Sequence, residues 1–275
     1  MVAVTGLYYY PVKGCVAVAA SSLAVSATGP RHDRSFMVVD RDGVFRSQRG
    51  LPALAVIEPE IGSAGDRLVL RAPGATDLAI DVRSDGDTCG VELFGAPFPA
   101  IDQGDDVADW LTDVLGEPSR LVRVPPDHHR VSAGYVSGSA GFADSGALTL
   151  LSESSLALLD RQIRAGNGEP VPMNRFRGNI VVEGWPEAHA EDRIRELTIG
   201  DARLGFLKLD IRCAVTVVDQ RTGRRSGPEP LKTLARYRRV EQGGVTFGIK
   251  LSVIAGGTIS VGDELLVEQW ESVSG

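Results

Sequence analysis

Cysteine is scarce in this sequence: Cys15, Cys89 and Cys213 are the only three in 275 residues. An odd, sparse set argues against a secreted disulfide scaffold and for a reducing compartment. No CxxC pair occurs, which disfavours structural zinc and an iron–sulfur cluster held by this sequence alone. No apolar run approaches the roughly 20 residues that a membrane-spanning helix needs. The opening MVAVTGLYYYPVKGC lacks the basic start and apolar core of a signal peptide. Positive charge is in deficit, 29 Lys and Arg against 36 Asp and Glu, a formal net charge of −7. A broad nucleic-acid footprint is therefore disfavoured, although local basic pockets stay open. Together these absences predict a cytoplasmic protein that engages neither nucleic acid nor membrane.

What is present is strand. VTGLYYYPV, SFMVVD, LAVIEPEI, RLVLRA and TCGVELFG are short β-branched or aromatic runs punctuated by Gly, Pro and Asp. Asp-Gly in DRDG, between SFMVVD and VFRSQR, suits a hairpin turn. A helix is predicted over DDVADWLTDVLG, with Asp105 as N-cap and Gly116 as its stop. Another follows in LLSESSLALLDRQIRAG, capped by Ser152, burying Leu156, Leu159 and Ile163 and ending at Gly166. A third, short helix is predicted in EPLKTLARYRR, with Pro230 in its first turn. The remainder returns to strands. The predicted architecture is mainly β (α+β): two β-barrel-like units with a few short helices, over residues 1–115 and 116–275.

Cys213 lies in LKLDIRCAVTVVDQRTG. If that run is extended, Ile211, Cys213, Val215 and Val217 share one face. Read alone, Cys213 is then either a small buried hydrophobe in a barrel wall or, beside Arg212, a thiolate able to ligate a soft metal. Basic side chains sit next to other strand-like runs: Lys13 in PVKGC, Arg31, His32 and Arg34 in GPRHDRSF, and Arg175 and Arg177 in MNRFRGN, two apart and on one face if extended. Such forks and point charges at strand mouths suit an anionic phosphate ligand. Asp144 and Ser145 in GFADSG add an acid and a hydroxyl. His128 and His129 are adjacent with no partner at ligand spacing, and are read as solvent-exposed.

The ordered motifs YYPVKGC, RHDRSFMVVDRDGVFRSQR, FADSGALTLLSESSLALLDRQI, RFRGNIVVEGW, IRCAVTVVDQRTG, EPLKTLARYR and GTISVGDELLV resemble the molybdenum-cofactor sulfurase C-terminal (MOSC) proteins that carry an amino-terminal MOSC β-barrel domain. The sequence is similar to their YcbX-like and mitochondrial amidoxime-reducing branch. The resemblance implies a molybdenum cofactor (Mo-molybdopterin) with Cys213 as the protein's sulfur ligand to the metal. It implies that Lys13, Arg34, Arg177, Asn179 and Arg212 hold the cofactor, that Ser145 hydrogen-bonds nearby, and that Asp144 stands near the metal as a proton relay or an orienting group. The reaction implied is reductive oxygen removal from an N-hydroxylated small molecule. Without four cysteines in a compact cluster, a separate electron donor, either a reductase or an iron–sulfur protein, is expected. A different outcome on the same fold would be a non-catalytic carrier that passes on cofactor or sulfur through Cys213. Gly14 and Ile211 depart from the family pattern, removing a hydroxyl and adding an apolar side chain at the pocket.

Overall fold

The computed structural model describes residues 1–272 apart from 87, 129 and 242. The fold is mainly β, in keeping with the predicted class. Its largest element is an eight-stranded sheet in the spatial order Leu265–Trp270, Ile194–Ile199, Ala202–Arg212, Val245–Ala255, Leu148–Ser152, Ile180–Glu183, Ala3–Tyr9 and Val18–Ala20. A five-stranded sheet follows the order Thr88–Leu93, Ala96–Asp102, Arg120–Arg123, Phe36–Val39 and Val12–Lys13. The amino-terminal strands Ala3–Tyr9 and Val18–Ala20 thus complete a sheet whose other strands all come after residue 147. The sheet joins strands from both sides of residue 115, and Lys13 is carried toward the carboxy-terminal half.

Among the described residues three α-helices decorate the sheets: α1 (Asp105–Leu115), α2 (Glu153–Ala165) and α3 (Leu231–Tyr237). The α1 N-cap is Gly104 rather than Asp105; Asp105 and Asp106 occupy the first turn, where the helix dipole favours acids. Gly116 ends α1 in the left-handed conformation, φ 71°, with its N–H donated to the Thr112 carbonyl. Ser152 does precede α2, but its hydroxyl pairs with that of Ser154 at 2.8 Å instead of with the helix backbone. Helix α2 is the crossover between Leu148–Ser152 and Ile180–Glu183, which pair in parallel. Alternation within Leu148–Ser152 sends Leu150 into the core on one face of the sheet, with Leu7, Ile180 and Ile249. Leu151 points the other way, into a core beneath the helices with Leu159, Ile163, Phe176 and Phe247. A third core, in the amino-terminal half, gathers Val12, Cys15, Phe36, Leu54, Leu68 and Leu111.

Neither the Cys213 run nor the Arg175–Arg177 run is extended at the residues that matter. Ala202–Arg212 ends before Cys213, which begins a 3-10 turn over Ala214–Val217. The cause is local. The Cys213 carbonyl accepts both the Thr216 backbone N–H at 3.1 Å and the Thr216 hydroxyl at 2.9 Å, an alternative to the sheet ladder. Cys213 therefore leaves the wall at the end of a strand and does not share an extended face with Val215 and Val217. Likewise Met173–Phe176 forms a 3-10 turn after Pro172, and Arg177 is left-handed at φ 52°. Arg175 and Arg177 are thus not strand neighbours two apart. His128 is half-buried, its ring tilted against Phe98 and Phe142 at centroid distances of 6.0 and 6.2 Å, so it is not simply solvent-exposed. His129 lies outside the described residues.

Candidate functional site

A cleft opens where the sheets converge, with about 860 Å³ of empty space open to solvent. Lys13, Arg34, Asp144, Ser145, Arg177, Asn179, Arg212 and Cys213 all line it. These eight positions span 200 residues of sequence and come from five separate segments, so the convergence is the work of the tertiary fold.

Lys13 ends the short strand Val12–Lys13, beside Phe36–Val39, and Gly14 then turns the chain at φ 86°. The Lys13 ammonium donates to the Phe142 carbonyl at 2.8 Å and to the Asp144 carboxylate. Burial lowers the Lys13 pKa, and Asp144 only partly restores it. Asp144 shows 51% of its side chain to solvent. Desolvation of its carboxylate would raise its pKa, but Lys13 and Lys250 outweigh that and hold the group well below the usual carboxylate range. It is an ionised side chain at neutral pH.

Arg34 and Arg177 clasp one ring. Their guanidinium carbons sit 4.2 and 4.4 Å from the Tyr10 ring centroid, and Tyr10, 2% exposed, donates its hydroxyl to the Gly178 carbonyl at 3.1 Å. Both arginines have left-handed backbones, φ 46° and 52°, an uncommon conformation for residues with a Cβ. Asn179 locks the pair to the sheet. Its carbonyl oxygen accepts from Arg34 and from the Thr149 N–H, each at 3.1 Å, and its amide donates to the Tyr8 carbonyl and to Asp33, also at 3.1 Å. Arg177 reaches Gln220 at 2.9 Å and the Cys15 carbonyl at 2.7 Å, while Gln220 and Gln48 exchange amide hydrogen bonds at 2.8 and 3.0 Å.

Arg212 lines the cleft with its fork committed to the protein. It donates to the Phe247 carbonyl at 2.8 and 2.6 Å and to the Phe176 carbonyl at 2.8 Å, and pairs with Asp210 at 2.7 Å. That network pins the strand end from which Cys213 departs. Cys213 is half-buried, and its Sγ accepts from Arg49 at 3.8 Å. Cys15, by contrast, is fully buried, and burial pushes its thiol up to about 12, so it stays protonated and inert.

Sequence reasoning passed over Tyr10, Phe45, Gln48, Arg49, Asp210 and Lys250. Arg49 and Phe45 lay in a run quoted whole, VFRSQR, but their approach to Cys213 and Lys13 crosses between sheets and leaves no local signal. In all, seven basic side chains line the cleft, Lys13, Arg34, Arg49, Arg175, Arg177, Arg212 and Lys250, against the two acids Asp144 and Asp210. Arg175 is 4% exposed and its Nε has no hydrogen-bond partner among the described residues. Among those residues, no three His, Cys, Asp or Glu side chains converge as a metal site. The lining thus sets a cation-rich wall, suited to an anionic group, beside one half-buried cysteine, Cys213.

Such a site belongs to the class of anion-holding clefts with one open sulfur. Residues 1–118 match the MOSC N-terminal beta barrel domain and residues 137–266 the MOSC domain. The chain belongs to the MOSC family. It is 31% identical over 280 residues to mitochondrial amidoxime reducing component 2 of Bos taurus, covering 94% of this chain and 81% of that protein. It is likewise 31% identical to mitochondrial amidoxime-reducing component 1 of Homo sapiens over 280 residues, with coverage of 94% and 81%. It is 30% identical over 270 residues to the molybdenum cofactor sulfurase of Danio rerio, covering 90% of this chain but 31% of that protein. The chain therefore spans about a third of the sulfurases it matches. Among the described residues no helix is long and apolar enough to cross a membrane.

Proposed function

We propose that this protein binds the molybdenum cofactor in the cleft through Cys213 and reduces N-hydroxylated small molecules by removing oxygen. The observation that carries the reading is the half-buried Cys213 thiol opening into a cleft lined by seven basic side chains and two acids, in a protein of net charge −7.

The residues fit the group. Arg175, with an orphaned Nε, has a donor to spare for a phosphate, and Arg49 stands against the aromatic rings and the thiol. Arg34, Arg177 and Asn179 form the rigid floor, and Arg212 fixes the direction from which the Cys213 sulfur enters. When bound, the cofactor supplies the two-electron redox change. The chain supplies orientation and charge. Lys13 presents an ammonium whose proton is held more loosely than usual because burial disfavours its charge. Asp144, kept ionised, is a poor proton donor and serves to aim that ammonium into the cleft. On this reading electrons are delivered to the cleft by a separate donor, a reductase or an iron–sulfur protein.

Elemental and pterin analysis of protein made in cofactor-competent cells tests the assignment. Cys213→Ser is expected to lose at least tenfold in bound molybdenum while Cys15→Ser retains it; equal metal in wild type and Cys213→Ser would refute the ligand. A second reading follows from the likeness to the Danio rerio sulfurase: the protein carries cofactor or sulfur on Cys213 without turnover. Reduction of an amidoxime by the loaded protein with dithionite and a viologen separates the two.

A further inference from the structure

The strands Thr88–Leu93 and Ala96–Asp102 pair through Leu93 and Ala96, which leaves Phe94 and Gly95 as a two-residue turn with φ of 55° and 79°. A turn with both central residues at positive φ is the natural place for Asn-Gly or Asp-Gly. A phenylalanine there is sterically disfavoured. Burial does not offset this, since Phe94 is 47% exposed. Its ring instead reaches the cleft mouth, 4.6 Å centroid to centroid from that of Phe45, a lining residue. The Lys13 ammonium lies 5.2 Å and the Arg49 guanidinium 5.6 Å from the Phe94 ring centroid, and both lie 5.6 Å from that of Phe45. Arg49 is also the residue that touches the Cys213 sulfur. An outlying backbone conformation that holds an exposed ring over the cations of a cleft is a reason to look for a ligand.

We infer that Phe94, Phe45 and Arg49 form a substrate subsite for a planar aromatic group bearing an electron-rich edge. The exposed ring of Phe94 stacks on the planar group, and Arg49, between the rings and the thiol, takes the electron-rich edge and directs it toward Cys213. The subsite would make aryl-bearing N-hydroxylated compounds better ligands than alkyl ones of the same functional group. This inference rests on the reductive reading of the cleft, which supplies the functional group but not the aromatic preference.

The test compares benzamidoxime with acetamidoxime by isothermal titration into the protein and by steady-state reduction. Wild type is expected to favour benzamidoxime by about tenfold in Kd and in kcat/KM, the range of a single well-placed ring contact. Phe94→Asn places a residue suited to the turn and is expected to keep the melting temperature while abolishing the preference. Phe94→Leu, which keeps an apolar side chain without a ring, is expected to remove most of it. A preference unchanged in both variants, or no detectable binding of benzamidoxime by wild type, overturns the subsite. If wild type binds the aryl compound through Phe94 yet reduces neither, the subsite stands and the reductive reading falls. If both are reduced with no aryl preference, the reverse holds.

Discussion

The cleft and the polar pocket beneath α2 are both built around a carboxylate, and they treat it in opposite ways. In the cleft Asp144 faces Lys13 and Lys250, and cations outnumber acids. Beneath α2, Glu191 is fully buried, takes one hydrogen bond from the Ser155 hydroxyl at 2.6 Å, and leaves Oε2 with no hydrogen-bond partner among the described residues. Burial pushes Glu191 up to about 7, so near neutrality it is partly an uncharged acid. Ser155 in turn accepts the His189 backbone N–H at 2.9 Å, tying the loop after Trp185 to the helix. The second site settles Glu191 by favouring its uncharged form. The first holds positive charge beyond what its own acids can answer, and that surplus distinguishes a place for an anion from a structural polar cluster.

The largest effect that would break this contrast is on the cleft's own frame. Arg212→Leu leaves Asp210, 5% exposed, with only Lys250 at 3.5 Å and strands the carbonyls of Phe247 and Phe176. A loss of about 3 kcal/mol is expected from removing one partner of a buried pair, read by denaturant unfolding. A loss below about 1 kcal/mol, the range of an exposed pair, would show that the network is not structural.

A smaller effect sharpens the other side. The Glu191 pKa is raised above its ordinary 4.5, so its contribution to stability is full below that value and is lost as pH rises through about 7. Glu191→Gln removes the ionisation. Relative to wild type the variant should gain on going from pH 5 to pH 8, by about 2 kcal/mol if most of the shift is realised. Parallel stability curves for the two proteins across that range would contradict it.

The smallest effect concerns Asp144. Its depressed pKa makes its contribution present above the ordinary carboxylate pKa and lost as pH falls through the lower folded value. Because half the side chain is exposed, Asp144→Asn should cost under about 1 kcal/mol at pH 7. The difference from wild type should shrink toward pH 2. In the loaded protein the same variant should lower turnover without loss of molybdenum, and unaltered turnover would remove Asp144 from the chemistry.

Much of the fold was legible. Gly116 and Gly166 ended their helices where expected, and the run VTFGIKLSV is strand as read. The ends of strands were the weak point. Thr216 bonding back to the Cys213 carbonyl, and Pro172 preceding the turn of Met173–Phe176, changed which way Cys213 and Arg175 face. Lys13, Arg34, Asn179 and Cys213 could be singled out because they stand in dense motifs. Tyr10, held between two guanidinium groups from positions 34 and 177, could not.

By itself the sequence determined a β-rich chain with few cysteines, a small set of motif residues, and the family to which they belong, because periodicity, turn chemistry and ordered motifs are local properties. Only the tertiary structure decided that the first strand joins the sheet of the carboxy-terminal half, that Arg49 and Phe94 close on Cys213 and Lys13, and which arginines keep donors in reserve. Those outcomes depend on sheet pairing across 170 residues or more and on competition for backbone carbonyls, neither of which has a signature in neighbouring residues.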